Sequence, residues 1–388
     1  MGIFKCFAKR GDKMKRAAVI CEFNPFHNGH KFLLEKIKEE YADEIVCIMS
    51  GSFVQRGELA VTDKYSRAKA ALQNGADLVA ELPTVYAMAA AQVFAESGVR
   101  LAQELQCDLL CFGAENSLEE LYAALDAIDS DAVQMKIADQ MKAGSYYPKA
   151  LSDAVGDQYA GIISRPNNIL ALEYIRACKK TGIEPVAVKR KAVNHDSGLI
   201  IGNMASATKI REMIKTNTDY SPYTPIRIEN PAYTESIEAA ILYRLKTIST
   251  EEFAKLADVY EGLENRIIEA AKNYNSVQEI LEAIKTKRYT MARLRRILLY
   301  ALLGITKEMQ RTPVPYLRIL GVREDKKQLI RSTDLPLIVD VRRGYDALND
   351  SAKEIFDIDI KASELMNIAS NETVNEFSQG VIQMKDEG

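Results

Sequence analysis

The chain has 388 residues, of which 47% are hydrophobic and 27% charged, with a formal net charge of −3. This length predicts two or three domains, and this composition is typical of a globular protein with a substantial core. The slightly acidic charge argues against a protein that coats nucleic acid over its whole surface. No apolar run approaches the roughly 20 residues of a membrane span, so we expect no membrane partner.

Residues 1–13 are basic, but their apolar stretch is too short for the core of a signal peptide. We interpret them as an N-terminal extension or an upstream start. Several of the six cysteines lie in apolar runs, where cysteine behaves as a small buried hydrophobe, and no CxxC pair occurs. We therefore expect no structural metal site, no disulfide and a cytoplasmic location.

From residue 14 to residue 216, short apolar runs alternate with segments of helical periodicity. Short strands separated by helices indicate a parallel sheet covered on both faces, an α/β fold of the Rossmann-like kind. In such folds ligands bind beyond the carboxyl ends of the strands. The predicted strands cover 16–22, 44–50, 76–82, 107–113 and 183–189.

Residues 217–233 contain three prolines and several turn formers, which predicts a linker. From residue 234 to about residue 309 the pattern is almost continuously helical, and the remainder mixes short strands, helices and a polar tail. We therefore predict an α/β domain at 14–216 that holds the ligand site, followed by a mainly α-helical C-terminal module at 234–388.

Two of the three histidines, His27 and His30, follow the first predicted strand in the stretch NPFHNGH. Pro25 and the Asn28–Gly29 pair predict a tight turn, and the helix that begins near Gly29 directs free backbone N–H groups into it. A helix N-terminus is a natural anion site. Two imidazoles there can donate hydrogen bonds to phosphate oxygens, or to the charge that develops when a phosphorus atom is attacked. The alternative is a loop with two surface histidines, but the strand before and the helix after favour a functional site.

A second polar motif, SATKIREMIK, covers 206–215. Ser206 is predicted to cap a helix, with Thr208 and Lys209 in the first turn and Arg211 next. A hydroxyl, an ammonium and a guanidinium at a helix N-terminus suit the β- and γ-phosphates of ATP. Alone, this motif is typical of an ordinary capped amphipathic helix. Together with NPFHNGH it resembles the signature of the HxGH-type nucleotidyltransferase superfamily, whose members activate carboxylates or phosphates with nucleoside triphosphates.

Five further segments narrow the resemblance. They are SGSFVQRGELA (50–60), FGAEN (112–116), RPNNILALEYI (165–175), VKRKAVNHD (188–196) and TKRYTMARLRRILL (286–299). With them, the chain from Met14 onwards resembles the tRNA(Met) cytidine acetate ligase family, although Ser52 and Leu59 stand where a larger polar group and a proline are expected. The resemblance implies that acetyl-adenylate is made from ATP and acetate, with Mg²⁺ on the triphosphate. It also implies transfer of the acetyl group to N4 of the wobble cytidine of elongator tRNA(Met).

The resemblance also implies which residues bind ATP. The segment around the first motif supplies Ile20, Cys21, Glu22, Phe23, Asn24, Pro25, Phe26, His27, Asn28, Gly29, His30, Lys31, Phe32 and Leu33. The later segments supply Gly113, an asparagine that is Asn167 or Asn168, and the basic pair Arg190 and Lys191. A glycine at position 113 ends a strand and lets the backbone approach a base or ribose closely.

Three of these assignments have alternatives. Asn167 and Asn168 either cap the helix that follows them or read an adenine edge. Arg190 and Lys191 close a strand near the phosphates or form a solvated basic turn. The third histidine, His195, either orients a proton donor or belongs to a simple turn.

A basic stretch near residue 290 predicts an RNA-binding surface. Leu294, Ile297 and Leu298 form an apolar helical face, so the basic residues are expected to project from the opposite face. In an acidic protein, such a concentrated patch is typical of contacts with a phosphate backbone, and the alternative is a charged solvent face. The predicted tRNA-binding residues are Lys285, Lys287, Arg288, Arg293, Arg295 and Arg296.

The sequence thus predicts an ATP-dependent acetate ligase acting on tRNA. His27 and His30 are expected to stabilise the pentavalent phosphorus and the departing pyrophosphate as acetate attacks. Gln55 and Arg56, on a glycine-containing loop over the cleft, are expected to touch substrate or tRNA. The alternatives are another HxGH adenylylating enzyme, similar to citrate lyase acetate ligase, and a non-catalytic RNA-binding protein on the same fold.

Overall fold

The computed structural model describes residues 14–143, 145, 147–189, 200–260, 262–330 and 333–385. The strands are β1 (Arg16–Cys21), β2 (Glu44–Ser50), β3 (Phe53–Val54), β4 (Glu58–Leu59), β5 (Leu78–Leu82), β6 (Leu109–Ala114), β7 (Glu184–Lys189), β8 (Ile200–Ile201), β9 (Met204–Ala205), β10 (Leu317–Arg323), β11 (Leu337–Ile338) and β12 (Ile382–Met384).

The helices of the first half of the chain are α1 (Asn28–Glu40), α2 (Lys64–Gln73), α3 (Thr84–Ala87), α4 (Ala91–Glu104), α5 (Leu118–Asp129), α6 (Asp131–Lys142), α7 (Tyr147–Val155), α8 (Asp157–Ile163), α9 (Pro166–Cys178) and α10 (Ala207–Lys215). Those of the second half are α11 (Glu238–Thr247), α12 (Thr250–Phe253), α13 (Leu263–Asn273), α14 (Val277–Ile284), α15 (Met291–Leu303), α16 (Lys307–Arg311), α17 (Val341–Ala347) and α18 (Asp350–Ser370). Short 3-10 helices lie at Ser221–Tyr223, Thr234–Ile237, Glu324–Ile330 and Glu376–Ser378.

The central sheet has the strand order β11-β10-β5-β2-β1-β6-β7, and β12 also pairs with β10. The strands β5, β2, β1, β6 and β7 are parallel, whereas β10 is antiparallel to β5. The predicted parallel sheet is therefore confirmed, and each of the five predicted strands forms with ends shifted by no more than two residues.

Both faces of the sheet are covered, because successive side chains of a strand point to opposite faces. Ala17 and Val19 of β1 pack into one core together with residues of α1 and α2. Ala18 and Ile20 pack into the other core together with residues of α4 and α9. A Cβ atom on Gly98 of α4 would lie 2.4 Å from Cδ1 of Ile20, so the close approach of this helix to β1 requires glycine.

The segment after residue 233 is largely helical, as predicted, but it also extends the first sheet. β10 pairs with β5, and the core on the α4 face continues from Ala18 to Met366. Without β10, β5 would be an open edge with unpaired backbone N–H and C=O groups. The sequence pattern predicted short strands in this segment, but not that they join the sheet formed by the first half of the chain. Pairing between strands that are distant in sequence produces no recognisable local pattern of residues.

A cluster of buried charges joins the end of the chain to the sheet. Nζ of Lys64 lies 2.8 Å from Glu81 and 3.1 Å from Glu376, and Arg318 pairs with the same two carboxylates. Each of these four side chains is no more than 2% exposed. The two positive and two negative charges cancel, and their mutual attraction offsets the cost of removing them from water.

Candidate active site

The loop between β1 and α1 holds both histidines at the start of a helix. His27 is the N-cap of α1, and its Nδ1 accepts a hydrogen bond from the backbone N–H of Gly29 at 3.0 Å. Nδ1 of His30 accepts from the backbone N–H of His27 at 3.3 Å, which completes a reciprocal cap. A neutral imidazole whose Nδ1 accepts carries its proton on Nε2, so both rings are held in the tautomer that donates from Nε2.

The two imidazole rings are stacked, with centroids 3.7 Å apart and planes inclined by 21°. A Cβ atom at position 29 would lie 2.9 Å from Cε1 of His27, so the stacked arrangement requires Gly29. Phe23 and Phe26 pack edge to face beside His30. The close packing of the two rings at the start of the helix therefore explains why a glycine lies between the two histidines in HNGH.

A cleft of about 280 Å³ opens at the carboxyl ends of β1, β6 and β7, which is where the α/β pattern predicted a ligand site. Both histidines line it. The other predicted residues along its wall are Ile20, Cys21, Glu22, Phe23, Asn24, Gly29, Phe32, Leu33, Gln55, Arg56, Gly113, Asn167, Ser206, Thr208 and Arg211.

Some of the predicted ATP-binding residues lie elsewhere. Pro25 and Phe26 are buried, and Lys31 is exposed. The side-chain amide of Asn28 donates to the backbone carbonyl oxygens of Asn203 and Pro222, at 2.7 and 2.9 Å. These four residues are not part of the cleft wall, and Asn28 instead joins the loop to residues 203 and 222.

The residues 217–233, predicted to be a linker, pack against this loop. Thr224 is 5% exposed, and its hydroxyl donates to the carbonyl oxygen of Phe26. Together with the bond from Asn28 to Pro222, this contact places the proline-rich segment beside the histidine loop. The predicted basic pair, Arg190 and Lys191, and the third histidine, His195, lie outside the described residues.

The two asparagines in α9 have different surroundings. The helix begins at Pro166 with Arg165 as its N-cap, so the interpretation of Asn167 or Asn168 as a cap is wrong. Asn167 lines the cleft, and its Nδ2 donates to Glu115 at 3.0 Å. Asn168 is fully buried and hydrogen-bonds to the 115–116 backbone and side chains, so it holds β6 and α9 together.

The second motif forms the predicted capped helix. Oγ of Ser206 accepts from the backbone N–H of Lys209 at 3.2 Å at the start of α10. Nη1 of Arg211 donates to the carbonyl oxygen of Asn24 at 2.7 Å, so this arginine joins the second motif to the first. Burial lowers the pKa of Arg211. Lys209, predicted to bind ATP, is not part of the cleft wall and pairs with Glu212 at 3.0 Å.

Arg67 is a buried residue behind the cleft that the sequence analysis missed. Its guanidinium is 0% exposed and donates to the carbonyl oxygens of Glu22 at 2.7 Å and Ser50 at 3.1 Å, with a further bond to that of Gly51. Burial lowers its pKa to about 10. Arg67 thereby fixes the ends of β1 and β2, from which the cleft loops start.

Other cleft residues were also missed, because they are brought together from elements distant in sequence. Phe112 and Tyr174 have ring centroids 5.4 Å apart, and burial raises the pKa of Tyr174. Lys189, at the end of β7, directly precedes the predicted basic pair. This position beside Arg190 in the sequence is the one feature that could have identified Lys189 as a cleft residue. The missed lining residues are Val19, Val54, Glu58, Phe94, Phe112, Leu170, Tyr174, Val188, Lys189, Met204, Ala205 and Ala207.

The hairpin formed by β3 and β4 (53–59), here called the cleft hairpin, lies between the histidine loop and α15. The backbone N–H of Gln55 donates to Oε1 of Glu22 at 2.7 Å. Gly57 has a φ of +75°, and a Cβ atom there would lie 2.7 Å from the backbone nitrogen of Arg296. The hairpin therefore rests directly on the backbone of α15, and only glycine allows this contact.

The basic helix differs from its prediction in one respect. Leu294, Ile297 and Leu298 are buried as predicted. Arg296, however, is only 8% exposed, so the expectation that it projects to solvent is wrong. Its guanidinium pairs with Asp258 at 3.2 Å and donates to the carbonyl oxygen of Gln55 at 3.3 Å. These partners come from distant parts of the chain and compensate for burial of the charge.

The remaining basic residues are more accessible. Arg295 pairs with Glu58 of the cleft hairpin and keeps 40% of its side chain exposed. Arg293 lies 5.0 Å from the ring centroid of Tyr289. Lys285, Lys287 and Arg288 precede α15, which begins at Met291; we call 285–288 the basic segment. Lys287 and Arg288 line a second, open cavity together with Arg266 and Tyr289.

In the described part of the chain, no group of three or more His, Cys, Asp or Glu side chains is placed to hold a metal ion. None of the described helices combines the length and the apolar character needed to cross a bilayer.

The fold and this cleft define a nucleotidyltransferase, and a family model described as HIGH Nucleotidyl Transferase matches residues 14–380. A tRNA(Met) cytidine acetate ligase from Acetivibrio thermocellus is 33% identical, over 96% of this chain and 100% of that protein. Another from Caldanaerobacter subterraneus is 35% identical, over 92% of this chain and 96% of that protein. The chain therefore belongs to the tRNA(Met) cytidine acetate ligase family, which confirms the resemblance seen in its motifs.

Solved structures agree with this assignment. The crystal structure of Thermotoga maritima TmcAL bound with alpha-thio ATP superimposes with a TM-score of 0.86 at 27% identity. It covers 96% of this chain and 100% of the other. The apo form of the same protein gives the same values.

Proposed function

We propose that this protein is a ligase that makes acetyl-adenylate from acetate and ATP and then acetylates N4 of the wobble cytidine of elongator tRNA(Met). The observation that carries the proposal is the pair of stacked histidines at the N-terminus of α1, facing the cleft at the carboxyl end of β1. We take the tRNA substrate and the use of acetate from the names of the relatives.

In the first half-reaction, a carboxylate oxygen of acetate attacks the α-phosphorus of ATP and pyrophosphate leaves. Negative charge then develops on the phosphorus oxygens and on the leaving group. The Nε2–H groups of His27 and His30, at the positive end of the α1 helix dipole, are the donors that stabilise this charge. Because their Nδ1 atoms are already bonded to the backbone, the rings need no reorientation when the charge appears.

The β- and γ-phosphates are assigned to the N-terminus of α10. Ser206, Thr208 and Arg211 line the cleft there, and Lys189 enters from the end of β7. Mg²⁺ binds ATP mainly through phosphate oxygens and water, so the ion can arrive with its substrate and need no cluster of protein carboxylates. It supplies neutralisation of the triphosphate charge.

The adenosine is assigned to the side of the cleft formed by β6 and α9. Gly113 presents bare backbone at the end of its strand, and Asn167 offers an amide for an adenine edge. Phe112 and Tyr174 provide an apolar, aromatic wall. Most ligand sites combine such apolar walls with a few polar groups of this kind.

The tRNA is assigned to the second half of the chain. The basic segment and Arg293 present positive charge for a phosphate backbone, while Arg56 projects from the cleft hairpin between that surface and the cleft. In this division of labour, residues 14–216 supply the ATP groups and residues 234–388 hold the RNA. Because the substrate is tRNA, we place the reaction in the cytoplasm.

The test separates the two half-reactions. We expect exchange of pyrophosphate into ATP to require acetate but no RNA, and nucleoside mass analysis to find N4-acetylcytidine in elongator tRNA(Met) after incubation with ATP and acetate. Exchange with acetate but no acetylated tRNA would favour another adenylylating enzyme of the HxGH type. RNA binding without exchange would favour a non-catalytic RNA-binding protein.

A further inference from the structure

Glu22 places a carboxylate in the cleft, on the loop that carries the histidines. It directly follows β1, five positions before His27. Among the described residues that line the cleft, two are carboxylates, Glu22 and Glu58. Glu58 is committed to an ion pair with Arg295. The oxygen Oε1 of Glu22 accepts from the backbone N–H of Gln55, which holds the carboxylate towards the cleft hairpin.

The surroundings of Glu22 favour uptake of a proton. Burial raises the pKa of Glu22, while the N–H of Gln55 and the cations Arg56, Arg211 and Arg67 act in the opposite direction. The other titratable groups that interact with this carboxylate are Cys21 and Tyr174, and burial raises the pKa of both. Glu22 is therefore a better base than an exposed carboxylate, while the neighbouring arginines favour its ionised form.

The second half-reaction needs such a group. When the exocyclic amine of cytidine attacks an acetyl carbonyl, the nitrogen must lose a proton. The two histidines are poorly placed to accept it, because Nδ1 of each already accepts a backbone N–H and the proton of the neutral ring is on Nε2. A proton acceptor other than these histidines would therefore assist this step.

We propose that Glu22 is the general base for acetyl transfer to the cytidine amine, an inference that rests on the proposed function. The N4 lone pair attacks the acetyl carbonyl carbon, and the C–N bond forms. The carboxylate of Glu22 takes the N4 proton and becomes a carboxylic acid. The C–O bond to the phosphate then breaks, and AMP leaves with the electron pair. The proton of Glu22 is finally lost to water.

The substitution Glu22→Gln tests the proposal, because glutamine keeps the shape and can still accept from Gln55 but cannot take a proton. Because Glu22 also lines the ATP cleft, we expect acetate-dependent pyrophosphate exchange to fall, but by much less than the transfer step. Transfer from preformed acetyl-adenylate to tRNA in a single turnover should fall by roughly 10² or more, the usual effect of losing a general base. Glu184→Gln, at an exposed position at the start of β7, the end of that strand away from the cleft, is the matched control and should leave both rates unchanged.

The pH dependence gives a second readout that a structural role would not move. The single-turnover transfer rate of the unchanged protein should rise with pH as Glu22 loses its proton and then level off, and Glu22→Gln should lose this rise. Normal transfer by Glu22→Gln, or equal loss of exchange and transfer, would overturn the assignment. If the unchanged protein showed no acetate-dependent exchange, the proposed function would fail instead, so the two failures are distinguishable.

Discussion

At the scale of single residues, the histidines of the loop after β1 both cap a helix and present hydrogen-bond donors to the cleft. Each imidazole uses Nδ1 to bond a backbone N–H of the helix start, and each thereby presents Nε2–H as a donor. The same contacts cap α1. His27 and His30 therefore contribute to both helix stability and phosphate chemistry, and the two contributions have to be separated by experiment.

We expect His27→Ala or His30→Ala to lower acetate-dependent pyrophosphate exchange by roughly 10²-fold or more, the effect of losing one transition-state donor. ATP affinity, measured by calorimetry, should fall much less, because the charge that these donors stabilise appears mainly during the reaction. Lys36→Ala, on the exposed side of α1, is the control. Equal losses of affinity and turnover would mean that the histidines only bind ATP.

The site could be predicted from the sequence where its signals are local. Turn formers, a helix cap and a preceding strand all lie within the residues 16–30, so the loop could be located without the structure. Arg67 could not, because its partners are the carbonyl oxygens at the ends of two strands and any residue type can supply a carbonyl.

At the scale of elements, α15 packs against the cleft hairpin, although the two belong to separate motifs of the sequence, at 286–299 and 50–60. The apolar face of α15 was correctly predicted, since helical spacing identifies it. The burial of Arg296 was not, because Asp258 and Gln55 are far away in the chain and the helix pattern treats every arginine as a solvent-exposed residue. The ion pairs and hydrogen bonds of a basic helix residue therefore have to be known before an RNA-binding role is assigned to it.

We expect Arg296→Ala to lower the free energy of unfolding by about 2 kcal/mol, because it leaves Asp258 and the carbonyl of Gln55 without their buried partner. Denaturant titration measures this change. Arg295→Ala removes a more exposed ion pair and should cost less than about 1 kcal/mol. Equal effects of the two substitutions would contradict the proposed support of the cleft hairpin by Arg296.

Neutralising the basic segment by the triple change Lys285→Ala, Lys287→Ala and Arg288→Ala should weaken tRNA binding and spare acetate-dependent exchange. If each side chain contacts a phosphate, the slope of log affinity against log salt should become shallower by roughly one unit per contact. Filter binding at several salt concentrations measures the slope. A slope equal to that of the unchanged protein would identify the segment as a solvated surface.

At the scale of the whole molecule, the sheet is assembled from both ends of the chain. Helical and strand patterns predicted the parallel strands of the first half, because each strand is a local apolar run. The antiparallel addition of β10 to β5 could not be predicted, since any strand with a suitable apolar face satisfies the same pattern. The fold is therefore shared between 14–216 and 234–388, whatever division of function the proposed site implies.

We expect a fragment ending at Thr216 to bind ATP far more weakly than the full chain, or to be insoluble. It lacks β10, which covers the edge of β5, and Thr224 and Pro222, which hold the histidine loop. Calorimetry with ATP and circular dichroism are the measurements. Binding by a soluble fragment with the affinity of the full chain would establish residues 14–216 as an independent domain.

The buried charge cluster has a consequence for synthesis of the protein on the ribosome. Lys64 and Glu81 are translated well before Arg318 and Glu376, their partners in the cluster. A nascent chain that contains both nucleotide motifs but not yet β10 therefore has an uncovered β5, and in the cluster Lys64 and Glu81 have only each other as ionic partners. Domains usually fold as units as they emerge, but this sheet is complete only after β10 has been translated, and until then the open edge of β5 is available for pairing with other chains.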